Sequence, residues 1–256
     1  MARRRQWAPL RRNAPGVHGP MTKYPSPFTV FPVTGIGEIS PGDDIAGMIV
    51  EAVTGGEIGF EDGDIVVITH KIVSKAEGQI REIPDETTYR QLVEDEAVSI
   101  IRRRGDLVIA QTRHGFICAN AAVDRSNVER GYAILLPVDP DRSAHRIRIL
   151  MERQANVSLG VVITDTFGRP WRRGLTDVAI GISGLPSVVD LRGTTDSHGN
   201  TLEVTEVAVV DEIAGAADLV MGKATGVPAA VVRGLEFSGD GRVADLIRPP
   251  SEDLFR

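Results

Sequence analysis

Cysteine is nearly missing from this chain: Cys118 is the only one in 256 residues. No intrachain disulfide can therefore form, and no Cys-rich zinc site, which fits a reducing cytoplasm. Long apolar runs are missing too. None approaches the ~20 residues needed to cross a bilayer, and the arginine-rich start lacks the apolar segment of a secretory signal. Several common catalytic devices are also absent. There is no G-x-x-x-x-G-K-[S/T] loop, because Gly222-Lys223 is followed by Ala224, and Gly35-Ile36-Gly37 lacks the later glycine of a dinucleotide loop. Without H-E-x-x-H or G-x-S-x-G, zinc hydrolysis and serine-triad chemistry are disfavoured.

Positive charge is in short supply. The formal net charge is -6, yet residues 1–20 carry five arginines and no acid, so the remainder stands at -11. A body that acidic is a poor partner for nucleic acid, which needs clustered Lys and Arg to neutralise phosphates, and small substrates are expected instead. Residues 1–20 have three prolines and no periodic apolar face and read as a disordered basic arm. Met21 lies just before the first strand-like run, so a start there would make the upstream arm an extension; the rival account is a basic tail that docks on an acidic surface, and residues 21–256 are expected to form the folded unit.

Within that unit, Phe28 to Val33, Ile65 to Ile68, Leu107 to Ala110, Phe116 to Ala119, Ala133 to Leu136, Val157 to Ile163, Val178 to Ile182, Val188 to Leu191 and Ala229 to Val232 read as strands. Helices are expected over Ile45 to Val53, capped by Asp43 or Asp44, over Ser143 to Gln154, and over Leu202 to Val220, ended by Gly222. Leu92, Val93, Ala97, Ile100 and Ile101 recur at helical spacing and predict one amphipathic helix from Thr87 to Arg104. Strands and helices without strict alternation point to an α+β fold.

The most informative stretch is Val161 to Gly174, where a β-branched apolar strand meets Asp165, Thr166, Arg169, Arg172 and Arg173. Gly168 and Pro170 are expected to stop that strand, placing Asp165 and Thr166 at its end. A carboxylate there is a hard oxygen ligand for Mg²⁺ or Mn²⁺, and the three arginines offer planar forks suited to phosphate or carboxylate. Turn-forming and solvated-rim roles account for the same residues structurally. Lys75 can neutralise phosphate as a point charge or simply be a solvated helix-end lysine. His114 can carry protons near pH 7, although a lone histidine in a strand loop is more often structural. Spacing alone does not pair Asp124 with Asp165.

Four segments, Ile72 to Ile80 (IVSKAEGQI), Phe116 to Val128 (FICANAAVDRSNV), Ile163 to Gly184 (ITDTFGRPWRRGLTDVAIGISG) and Val209 to Lys223 (VVDEIAGAADLVMGK), resemble coenzyme F420:L-glutamate ligases, the F420-0:gamma-glutamyl ligase family. The resemblance runs from about Phe28 to Leu235. It implies two intimately associated mixed α/β parts with the active site between them, a homodimer, and GTP-dependent joining of L-glutamate to the carboxylate of F420-0. It also implies Mg²⁺ or Mn²⁺, two per active site, with K⁺ as a further ion. Some relatives carry a fused nitroreductase-like domain, for which this chain is too short.

By the same resemblance, Asp124 and Asp165 fall to the first metal and Thr166 to the second. GTP falls to Ile36, Gly37, Glu38, Ile39, His70, Lys71, Lys75, Asn127 and the run Met221, Gly222, Lys223, Ala224, Thr225, Gly226 and Val227. Asp124, Asp165 and Lys75 are the catalytic candidates. In some relatives a carboxylate ligand of the second metal stands where this sequence has Lys223. That leaves Lys223 free to contact phosphate, or Glu206, Asp211 or Glu212 to take the ion. The arginines are assigned to substrate anions. A metal-dependent phosphotransferase or phosphatase, or a non-catalytic nucleotide- or F420-binding relative, would use the same residues differently.

Overall fold

The computed structural model describes residues 27–254; the basic arm of residues 1–20 and Met21 lie outside them. The chain runs β1 (Thr29–Val33), α1 (Ile45–Gly55), β2 (Asp64–Thr69), α2 (His70–Ala76), β3 (Ile80–Glu82), α3 (Glu86–Glu96), β4 (Ala97–Arg104), β5 (Leu107–Thr112), β6 (Ile117–Ala119), β7 (Tyr132–Ile134), α4 (Pro140–Ala155), β8 (Leu159–Arg169), β9 (Arg172–Ser183), β10 (Val189–Asp190), β11 (Glu206–Val207), α5 (Val209–Met221) and β12 (Ala229–Arg233). This is the α+β architecture that the sequence pattern indicates.

The main sheet has the order β1-β12-β2-β8-β9, and β2 with β8 is its one parallel pair. Strands buried on both faces need apolar residues in succession, and β2 and β8 supply them. Val66, Ile68, Val161 and Ile163 join α1 and α4 in one core, through Ile49, Val53, Ile147 and Met151. The alternate residues Ile65, Val67 and Val162 face the other way onto α5, meeting Val210, Ile213 and Ala217. The two-residue period of a strand thus divides one sheet between two helical layers. A third core gathers Ile83, Tyr89, Val93, Val108, Ala110, Val123 and Ala133 around α3 and β5.

Local signals place the helix starts. Asp44 rather than Asp43 caps α1, accepting from the Gly47 amide at 3.1 Å, while Asp43 takes the Ser40 amide. Asp85 caps α3 and Asp139 caps α4, where Pro140 occupies the first turn without costing a hydrogen bond. Gly181 lets α4 approach β9 closely, since a Cβ there would stand 2.6 Å from the Pro140 carbonyl.

Three expectations are corrected. The helix predicted from Thr87 to Arg104 ends at Glu96, and Ala97 to Arg104 form β4 against β5. Val98, Ile100 and Ile101 are β-branched, and burial alternates along Ala97 to Ile101 with a strand's period, so pairing overrides the helical spacing. The helix expected from Leu202 begins at Val209, with Glu206 and Val207 paired to β10. Finally, β8 does not stop after Ile163. It runs to Arg169, turns through Pro170 and Trp171, and returns as β9, so Asp165 and Thr166 lie within a long hairpin. Pro170 sits in the turn, where its missing N–H breaks no ladder bond.

Candidate active site

The parallel pairing of β2 with β8 ends at Thr69 opposite Thr164. One residue further on, β2 becomes α2 while β8 continues along β9 alone. Strand ends of this kind open a crevice. The next residues, His70 and Asp165, are therefore neighbours, with His70 Nε2 3.4 Å from Asp165 Oδ1. His70 is fully buried, its Nδ1 is 3.3 Å from Ser74 Oγ, and its Nε2 has no hydrogen-bond partner. Its ring backs the Asp165 carboxylate instead of facing open space.

Beside this strand end lies a cavity of about 770 Å³, within the range of small-molecule sites. Thr69 at the end of β2 and Lys71, Ile72 and Lys75 of α2 form one wall. The two ends of α2 tie down the adjoining loops: the Thr69 amide donates to the Pro228 carbonyl at 2.9 Å, and the Gly42 amide to the Ala76 carbonyl at 2.8 Å. Those loops bring in Ile36, Gly37, Glu38 and Ile39 from one side and Met221, Gly222, Lys223, Gly226 and Val227 from the other, with Asn127 between. The second loop leaves α5 at Gly222, whose φ of 60° a side-chain-bearing residue rarely adopts. Ala224 and Thr225 belong to this loop but do not line the cavity; Thr225 Oγ1 donates back to the Met221 carbonyl.

Asp124 reaches the site through Lys71, whose Nζ lies 2.8 Å from its Oδ2. The Ser126 amide and hydroxyl donate to the same carboxylate at 2.7 and 2.9 Å. Burial by itself would raise the Asp124 carboxyl, but Lys71 and Ser126 outweigh it and hold it below the usual carboxylate range. Burial opposes ionisation of Asp165 likewise, and the His70 ring, the Thr166 amide and Lys71 reverse it. Both aspartates thus feel Lys71, although neither is among the residues that line the cavity.

Asp177 is a site residue that sequence reasoning missed, as is Asp218. Asp177 pairs directly across the hairpin from Thr166. It is 5% exposed, lines the cavity, and accepts from Thr164 Oγ1 at 3.0 Å and from Thr166 Oγ1. Lys223 Nζ stands 3.5 Å from it. Asp218, also on the wall, is raised first by burial and then by Asp177. Hairpin register is the signal that would have found Asp177, since alternate residues 164 and 166 face the partner strand's side chain. Of the other acids considered, Glu206 pairs with Arg192 at 3.1 Å, and Asp211 holds the Ala179 amide at 2.9 Å.

Arg169, Arg172 and Arg173 stand exposed near the hairpin tip, outside the cavity wall, with Arg169 donating to the Arg173 carbonyl. His114 is not on the wall either; its Nε2 lies 3.0 and 3.2 Å from the Pro137 and Val138 carbonyls and its ring stacks on Phe116. Burial raises the Cys118 thiol to about 12, which leaves it unreactive.

Among the described residues no three His, Cys, Asp or Glu side chains converge as a ready metal cage. Asp124, Asp165 and Thr166 nonetheless offer hard oxygens, and Mg²⁺ is usually held by one or two carboxylates with substrate phosphates and water completing its shell. The donor set suits such an ion. Among the described residues, no helix is long and apolar enough to cross a membrane.

A family model described as F420-0:Gamma-glutamyl ligase matches residues 35–234. The Coenzyme F420:L-glutamate ligase of Methanothermobacter thermautotrophicus is 44% identical over 249 residues, covering 90% of this chain and 99% of its own. That of Methanopyrus kandleri is 43% identical over 241 residues, 86% of this chain and 94% of its own. That of Archaeoglobus fulgidus is 40% identical over 244 residues, 89% and 96% of the two chains. The match takes in both cavity loops, α2, and the strands that carry Asp165 and Asp177, and the chain belongs to the F420-0:gamma-glutamyl ligase family.

Proposed function

We propose that this chain joins L-glutamate to the carboxylate of F420-0 in a GTP-dependent reaction, with further γ-glutamyl additions open to it. The observation that carries the reading is the cavity wall, where Lys71, Lys75 and Lys223 stand with Asp177 and Glu38, and Lys71 pairs with Asp124 just behind the wall, in a chain of this family. Such a wall suits a polyphosphate and its divalent ion.

A carboxylate is a poor acyl donor because its oxygen is a poor leaving group. Transfer of the GTP γ-phosphoryl group to the F420-0 carboxylate gives an acyl phosphate and GDP. The glutamate amine then attacks the acyl carbon, loses a proton, and expels phosphate. In this reading Lys75, almost buried on α2, meets phosphate oxygens, and the nucleotide lies against Ile36 to Ile39, Met221, Gly222, Lys223, Gly226 and Val227, which line the cavity. A Mg²⁺ or Mn²⁺ ion held by Asp124, Asp165 and Thr166 would offset charge on the transferring group. Arg169, Arg172 and Arg173 meet substrate anions arriving from the hairpin side. Their exposure fits contact with a mobile small molecule, each charge-assisted bond being worth roughly 1.5 to 3 kcal/mol.

Mass spectrometry of protein incubated with F420-0, L-glutamate, GTP and Mn²⁺ tests the reading. The expected outcome is a gain of one or more glutamyl units that requires GTP, metal and glutamate. Asp165→Asn should lose this product while keeping its circular dichroism spectrum, and Arg172→Ala should raise the KM for F420-0 or glutamate. Phosphate release from GTP that ignores glutamate would replace the ligase by a phosphotransferase or phosphatase. GTP binding without any product would make the chain a non-catalytic relative.

A further inference from the structure

Every lysine on the cavity wall stands against a carboxylate: Lys71 against Asp124, Lys75 against Glu38, and Lys223 against Asp177. A polyphosphate site needs those ammonium groups for the ligand. Its carboxylates are the groups that a divalent ion needs. The two demands meet at Asp124, where Oδ1 accepts from the Ser126 amide while Oδ2 accepts from the Ser126 hydroxyl and from Lys71.

A divalent ion at Asp124 would compete with that ammonium for the same oxygen and repel it. Lysine is suited to yield, being a compact charge on a flexible four-carbon stem. Phosphate oxygens in the adjoining cavity give the ammonium another anion to pair with.

We propose that Lys71 is a tethered counter-ion, which Asp124 gives up to nucleotide phosphate when it takes a divalent ion; Lys223 stands in the same relation to Asp177. This rests on reading the cavity as a site for nucleotide and metal. Ion and nucleotide then bind as a pair, each weakly without the other, and the coupling is reciprocal. Lys71 is a positioning residue by this account, because it sets the order of charges around the reacting groups.

The experiment measures Mn²⁺ binding by the electron paramagnetic resonance of free Mn²⁺, with and without GDP, for the native chain and for Lys71→Met. Methionine keeps the stem's bulk and removes its charge. The expected result is that Lys71→Met binds Mn²⁺ alone at least tenfold more tightly than the native chain and loses most of the tightening that GDP confers. Lys71→Arg, which keeps the charge, should stay as weak as the native chain in Mn²⁺ alone. Should Lys71→Met fail to fold, Lys71→Gln serves in its place, and Lys223→Met should show a smaller gain. Unchanged or weaker Mn²⁺ binding by the neutral variants overturns the proposal, even where glutamyl transfer by the native chain stands. A native chain that binds neither Mn²⁺ nor GDP overturns the reading of the cavity and this proposal with it.

Discussion

Asp124 is held ionised against its own burial by Lys71 and Ser126, and that has a pH signature. Its carboxyl lies below the ordinary value of 3.8 in the folded chain. Its contribution to stability is therefore complete above about that pH and is lost as pH falls through the lowered folded value. Asp124→Asn should narrow the stability gap to the native chain below pH 3.8 and leave it constant from pH 5 to 7; urea unfolding at pH 3, 5 and 7 measures it. A gap that widened on acidification would contradict the assigned Lys71 contact. At this scale the sequence marks candidate polar residues where apolar runs end: Lys71 just after β2, and Asp165 and Thr166 after the apolar first half of β8. Asp177 was hidden, because its partners Thr164 and Thr166 lie more than ten residues away and only hairpin register joins them.

The sheet's elements are fastened by an ion pair that links two neighbouring strands distant in sequence. Asp64 opens β2 and is 1% exposed, and Arg233 closes β12 and donates to it through Nε at 2.8 Å and Nη2 at 2.7 Å. The guanidinium also donates to Glu61 and the Gly59 carbonyl. Removing one partner of a buried pair leaves a charge without compensation, at about 3–5 kcal/mol. Arg233→Met should lose that much in urea unfolding, and Arg233→Met with Asp64→Leu should recover part of it. If Arg233→Met cost no more than a surface substitution, the pair would not be fastening the strands. The β8–β9 hairpin shows why elements were harder to read than residues. Gly168 and Pro170 predict a strand stop, and they mark a hairpin turn whose two arms continue to pair up to Arg169 and Arg172. Likewise Ala97 to Arg104 fit a helix by spacing until β5 gives them a pairing partner. Local pattern fixes which faces are apolar; a neighbouring strand decides whether the segment extends or coils.

For the whole molecule, we propose a homodimer. The β4-β5-β6 sheet carries Val98, Ile100, Leu107 and Ile117, all large, apolar and at least 38% exposed, which is surface suited to association. Light scattering on the eluted peak should return about twice the 27.6 kDa chain mass. A single-chain mass at micromolar concentration would rule the dimer out, and Val98→Glu with Ile100→Glu should lower the mass if β4 carries the contact. The sequence by itself determined the class of fold, because alternating and continuous apolar runs must be buried and only a few layer arrangements bury them. It also determined the kinds of chemistry, by supplying hard oxygens, lysines and no nucleophile motif. Tertiary structure alone decided which charges meet. The ends of β2 and β8 bring His70 to Asp165, α2 turns Lys71 toward Asp124, and the hairpin sets Asp177 under Lys223. Coulomb forces act through space and not along the chain, so the pairing of these charges is fixed only once the sheet has folded.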